Sequence, residues 1–308
     1  MLSQLCVLPL VLLVFLPVSN ICTAAMTVEN FRLVGGMSRI YRCAKTEPLS
    51  AVTEPETEAE CIILQQTGLV VDLRSDMERD DELGKEWMDR FGFQTPLDVA
   101  AGDVIPSSLE KRVMRIDVQP RARIMEYISK SWLSPSQKAM SPMLALFNPD
   151  ALHEIRMEYL NERGLAGLNE AIMESGGADL CLALREMTKH LENTDSSIVF
   201  HCVQGKDRTG VLSMLCQSIL GMSEEEIIEE YFKSEVMRNP SVAVKRVAAK
   251  GRFDKRKFNG APRESMIATL AFIKSKHSSI CPGYLDSIRF DKSWRDRFIA
   301  CQIQGSKL

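Results

Sequence analysis

Residues 197–220 read SIVFHCVQGKDRTGVLSMLCQSIL, and the order of residue types in this stretch decides the fold class. Ser197–Phe200 is a short apolar run, suited to a buried strand. Thr209–Leu220 is apolar over a helix-length segment and is followed by Gly221, which suits a helix C-terminus. HCVQGKDR joins the two. A tight turn from a strand end into a helix gathers backbone N–H groups that lack intrahelical partners, at the positive end of the helix dipole. Such a turn attracts an anion, and successive amides curled into a nest fit a phosphate. Gly205 allows a bend that a Cβ would hinder, and Gly210 allows close packing at the helix start.

The same field acts on Cys202. A free thiol titrates near about 8.5, and helix N-termini and nearby cations lower that value by several units. The position therefore predicts a thiolate nucleophile at Cys202. Arg208 offers two N–H donors in a planar fork, matched to the oxygens of a phosphoryl transition state. Val203, Gln204, Gly205 and Lys206 line the cradle between them. Thr209 is placed to hydrogen-bond the sulfur and help it leave when water attacks a phosphocysteine. His201 is expected to orient the loop through its ring, with the Cys202 backbone as partner.

The rest of the chain supplies a matching framework. Phe31–Ala44, with Gly35-Gly36 inside it, reads as strand–turn–strand. Gly68–Leu73 and Val113–Val118 read as buried strands. Residues 45–60 read as a polar loop leading into a short helix. Residues 120–192 carry apolar residues at helical spacing, with breaks expected at Ser134-Pro135-Ser136 and Gly176-Gly177. Ser223 and Glu226 form a capping box that starts a further helix through Lys233. Strands alternating with helices predict an α/β fold with a mainly parallel central sheet flanked by helices. No repeat or low-complexity linker divides residues 26–308, which read as one domain.

Composition is that of an ordinary globular chain: 308 residues, 45% hydrophobic, 26% charged, formal net charge −3. Nothing in that balance points to nucleic acid. Four histidines without a CxxC pair argue against structural zinc. The nine cysteines are irregularly spaced, and most read as small buried hydrophobes, not as a disulfide framework.

HCVQGKDRTG resembles the active-site loop of the cysteine-dependent phosphatases, the C-x5-R superfamily. The likeness extends to Asn30-Phe31-Arg32 with Gly35-Gly36, and to Ile40-Tyr41-Arg42-Cys43-Ala44. These are similar to the opening of the tyrosine phosphatases typified by secreted bacterial tyrosine and lipid phosphatases. Asp72-Leu73-Arg74-Ser75 with Glu78, Leu220-Gly221 to Tyr231, and Gly283-Tyr284-Leu285 continue it, over about residues 28–302. Leu33 stands where that family has aspartate, and Cys43 where it has serine.

The resemblance implies a cysteine-phosphatase fold and phosphomonoester hydrolysis through a phosphocysteine, with no metal or other cofactor. Its substrates would be phosphotyrosine proteins, with dual specificity, or phosphoinositide headgroups reached by at most peripheral membrane contact. The leaving oxygen needs a proton. No segment like the movable aspartate loop of many tyrosine phosphatases is evident. The resembled subfamily implies Asp207 as the acid, and Asp72, at a strand end, is the alternative. Lys206 is the residue that the resemblance connects with inositol lipids. Residues 238–263 hold nine Lys/Arg and one acid, a solvated run or, if folded over the pocket, a surface for anionic headgroups. A catalytically idle phosphate-binding relative and a phosphatase of soluble inositol phosphates or nucleotides stand as the competing readings.

Two addresses disagree. Residues 1–25, with the uncharged run Leu5–Val18 and the small residues Thr23-Ala24-Ala25, read as a secretory signal peptide. The terminal Ser306-Lys307-Leu308 resembles the peroxisomal import tripeptide, which a start at Met26 would reconcile.

Overall fold

The computed structural model describes residues 28–103, 105, 111–237 and 252–305. The leader, the terminal tripeptide and residues 238–251 of the basic run lie outside the described residues.

Among the described residues, six strands form one sheet in the order β1-β2-β6-β3-β5-β4. They are β1 (Arg32–Leu33), β2 (Ile40–Cys43), β3 (Thr67–Asp72), β4 (Leu97–Asp98), β5 (Arg112–Arg115) and β6 (Ser197–His201). Only the β1–β2 pair is antiparallel; the other pairs are parallel. The helices are α1 (Glu58–Cys61), α2 (Asp81–Arg90), α3 (Arg121–Ser131), α4 (Pro135–Phe147), α5 (Pro149–Asn193), α6 (Asp207–Ile219), α7 (Glu224–Val236), α8 (Arg263–His277), α9 (Leu285–Ser287) and α10 (Lys292–Gly305). This is the α/β architecture with a mainly parallel sheet that the alternating pattern predicts.

The apolar runs have no polar alternation because both faces of the sheet are covered. Leu69, Val71, Ile198 and Phe200 pack into the larger core, with Leu184 of α5, Leu212 of α6, Leu270 of α8 and Phe298 of α10. Val70, Val113 and Val199 point the other way, to Ile63, Leu64 and Trp87. Complete burial of a side chain of this size contributes about 1.5–3 kcal/mol.

Two expectations, one for the helical middle and one for a strand, need correction. Gly176-Gly177 does not interrupt α5; a Cβ at Gly176 would lie 2.2 Å from the Val118 carbonyl oxygen, so the glycine admits the backbone of the segment after β5. The break falls at Gly164, whose φ of 57° leaves the helical region. The β5 strand is also shorter than expected and ends at Arg115. Among the described residues, no helix is long and apolar enough to cross a membrane, and seven cysteines are free.

Strand register positions the site. His201 pairs with Cys43 on one side and Asp72 on the other, and Asp72 pairs with Arg115. The carboxyl ends of four strands therefore share one edge, where open parallel sheets place their ligands.

Candidate active site

Cys202 follows the last residue of β6 and is only 2% exposed, at the floor of a cavity of about 490 Å³. The loop from Cys202 to Lys206 runs into α6, which begins at Asp207. Gly205 turns the loop with φ +66°, and a Cβ there would stand 2.4 Å from the Cys43 carbonyl oxygen. Side chains from the first hairpin brace this turn. Asn30 Nδ2 donates to the carbonyls of Gly205 (2.8 Å) and Gln204 (3.2 Å). Arg42 Nη2 donates to the Gly205 carbonyl at 2.7 Å. The Lys45 amide donates to the Val203 carbonyl at 3.1 Å. These bonds engage the carbonyls of Val203, Gln204 and Gly205 and fix the course of the loop. Arg42 is fully buried, and burial, with Arg32 nearby, pulls it down to about 9.

Arg208, in the first turn of α6, lines the same cavity and is buried. Its Nη1 and Nη2 donate to the two carboxylate oxygens of Glu78, at 2.5 and 2.8 Å. Burial opposes ionisation of Glu78, but Arg208 and the Ser75 donors more than offset it and hold the carboxyl below its usual range. The Ser75–Glu78 pair is itself a capping box, with the Ser75 amide and hydroxyl each 3.1 Å from Oε2. The guanidinium is thus held in one orientation.

Asp72 is turned into the protein. Its Oδ1 accepts from the Arg74 amide (3.0 Å) and Nε (2.9 Å), and its Oδ2 from Nη2 (2.8 Å). Burial works against the charge, yet His201 and Arg74 outweigh it and bring Asp72 to about 2. Asp72 is therefore ionised at neutral pH and serves Arg74, which also reaches Glu47. His201 is buried, and burial lowers its pKa against the pull of Asp72. Its Nδ1 lies 3.4 Å from the Cys202 carbonyl oxygen, the partner expected from the sequence.

Three expected contacts come out differently. Lys206 is 2% exposed, and its Nζ donates to both oxygens of Asp207 (2.7 and 2.9 Å) and to the Phe258 carbonyl (2.9 Å). Its charge is matched by its neighbour, so it is not a second free cation beside the cradle. Asp207, by the same bonds, is engaged at both oxygens. The Thr209 hydroxyl is buried and has no hydrogen-bond partner among the described residues, so it makes no bond to the Cys202 sulfur.

The basic run does reach the pocket through its described part. Phe253, Lys255, Phe258 and Asn259 line the cavity together with the loop. Phe253 and Phe258 stack at 3.9 Å between centroids and 20° between planes. Asn161 of α5 fixes this segment, accepting from the Asp254 amide (2.9 Å) and donating to the Arg252 carbonyl (2.9 Å). Asn30, Arg42 and Glu78 belong to the motifs read from the sequence, but their work on the loop was not legible there. Among the described residues, no cluster of His, Cys, Asp and Glu is arranged to hold a metal ion.

A family description fits this geometry. The model of the tyrosine phosphatase family matches residues 24–300. The chain belongs to that family. Membership gives it a tyrosine-phosphatase-like character and the reaction class of phosphoric monoester hydrolysis. No curated protein matches the chain.

Proposed function

We propose that this tyrosine-phosphatase-family protein hydrolyses phosphotyrosine through a phosphocysteine at Cys202. The observation that carries the reading is Cys202 on a braced loop and Arg208 in the first turn of the helix that follows it, both lining a cavity that also holds a stacked aromatic pair. The phosphate sits in the loop amides and on Arg208. Helix dipole, amides and guanidinium together stabilise charge that builds on its oxygens. The sulfur attacks phosphorus in line, the ester oxygen departs with a proton, and water then releases inorganic phosphate. A buried nucleophile favours a substrate that carries its phosphate on a long rigid stem. The Phe253–Phe258 pair supplies a face on which a phenol ring can stack.

Dual specificity and activity on phosphoinositides form the second part of the proposal. Lys206 does not support them, since Asp207 matches its charge. Lys255, on the cavity wall, is the cation that would meet an anionic headgroup.

The test is phosphate release from a phosphotyrosine peptide, a phosphoserine peptide and a monophosphorylated phosphoinositide, under reducing conditions. Turnover is expected on the phosphotyrosine peptide and is lost in Cys202→Ser. Phosphate binding without turnover in the unaltered protein would instead identify an idle relative. Turnover confined to soluble inositol phosphates or nucleotides would overturn the protein-substrate reading.

A further inference from the structure

Loss of the ester oxygen requires a proton, and the carboxyl groups around the loop are not equally able to give one. Glu78 holds Arg208 with both oxygens. Asp72 is spent on Arg74. Asp207 is clamped by Lys206. Asp117 differs from all three. It follows β5, whose last residue Arg115 is in register with Asp72, itself in register with His201. The segment after Arg115 therefore leaves the sheet on the same edge as Cys202, two strand intervals away, or about 10 Å. The charges of Arg208 and Glu78 act on its carboxyl, and Gln119, two residues on, lines the cavity.

The Asp117 carboxyl is half-buried. Its Oδ1 accepts the Gln119 amide at 2.9 Å, and its Oδ2 takes no hydrogen bond among the described residues. The charged groups that face it are Arg208 of α6, Glu78, and Asp179 of α5, which is itself paired with Arg123 of α3. Burial raises its pKa above the usual carboxylate range, Glu78 and Asp179 add to this, and the Gln119 amide and Arg208 work against it. Among the carboxyl groups with a resolved shift in the described residues, it alone moves upward.

We propose that Asp117, and not Asp207, is the general acid of the reaction. The proposal rests on the phosphocysteine reading above. The Cys202 sulfur–phosphorus bond forms as the phosphorus–ester oxygen bond breaks, and the Asp117 proton passes to the departing oxygen. In the second step the Asp117 carboxylate takes a proton from water as its oxygen bonds phosphorus and the sulfur leaves. The thiolate and the protonated Asp117 are thereby restored.

The experiment compares Asp117→Asn and Asp207→Asn in the full chain on aryl phosphates of graded leaving-group pKa. Asparagine keeps an oxygen for the Gln119 amide, and the fold is followed by circular dichroism. Removing a general acid costs about 10²–10⁴-fold on a poor leaving group and little on one that leaves unaided. Asp117→Asn should show that steep dependence and lose the alkaline limb of the kcat/KM–pH profile. Asp117→Glu should regain part of the rate on the poor leaving group. A uniform loss across the series, or the steep dependence appearing in Asp207→Asn instead, would overturn the proposal. Activity on the good leaving group that persists in Asp117→Asn and vanishes in Cys202→Ser leaves the phosphocysteine intact. Failure of this inference is thus distinct from failure of the proposed function.

Discussion

At the scale of single residues, the site depends on pairs in which one partner fixes the other. Glu78 is the clearest case, because it holds Arg208 at two points before substrate binds. Glu78→Gln keeps the size but removes the charge and one acceptor, which frees the guanidinium to rotate. The expected outcome is a fall of about 10²-fold in kcat/KM on an aryl phosphate, since small misplacements of a binding group cost that much. Steady-state kinetics and inhibition by orthovanadate check it. Asp72 makes a different prediction, about stability. Its pKa falls from near 4 when unfolded to about 2 when folded. The stabilisation it gives is therefore complete above about pH 4 and disappears as pH falls through about 2. Asp72→Asn should cost about 2–5 kcal/mol at neutral pH, because it leaves Arg74 buried with less than its full charge partner. Urea unfolding at pH 7 and pH 3 measures this, and the difference between the two proteins should narrow at the lower pH.

At the scale of elements, the active-site turn is held by the first hairpin as much as by its own strand and helix. The Gly205 carbonyl takes two side-chain donors, Asn30 and Arg42, and the space a Cβ would need is filled by the Cys43 carbonyl. Gly205→Ala should fold, because the clash is confined to the loop and the Cys43 end of β2, but lose most of its turnover as the loop shifts off its braces. Thermal unfolding beside kinetics separates the two effects. Strand, loop and helix at residues 197–220 were legible because short apolar runs and a glycine-bearing turn leave few alternatives. What the local pattern hid depends on contacts distant in sequence. Lys206 looked like a substrate cation, but the carbonyl of Phe258, distant in sequence, accepts a hydrogen bond from its ammonium beside those to Asp207. Asp117 looked like part of a strand, because the run VMRIDV continues beyond Arg115, where pairing stops. Gly176-Gly177 looked like a break because close packing onto Val118 cannot be read from one helix alone.

At the scale of the whole molecule, the parallel sheet brings the ends of β2, β3, β5 and β6 to one edge and buries both of its faces. Alternate residues of β6 serve opposite cores, with Phe200 in one and Val199 in the other. Phe200→Ala should therefore destabilise the fold by about 3–5 kcal/mol, read from chemical denaturation, with the loop chemistry intact in the fraction that remains folded. Under the proposed function, this arrangement presents the Cys202 sulfur to the phosphorus of the substrate. The most direct measurement is a rapid acid quench of the full chain during turnover of a phosphotyrosine peptide, followed by mass spectrometry of the peptide that carries Cys202. The account predicts a phosphoryl group on the Cys202 sulfur that appears within the first turnover and is absent from Cys202→Ser. Turnover with no adduct at Cys202, or turnover that survives in Cys202→Ser, would contradict it.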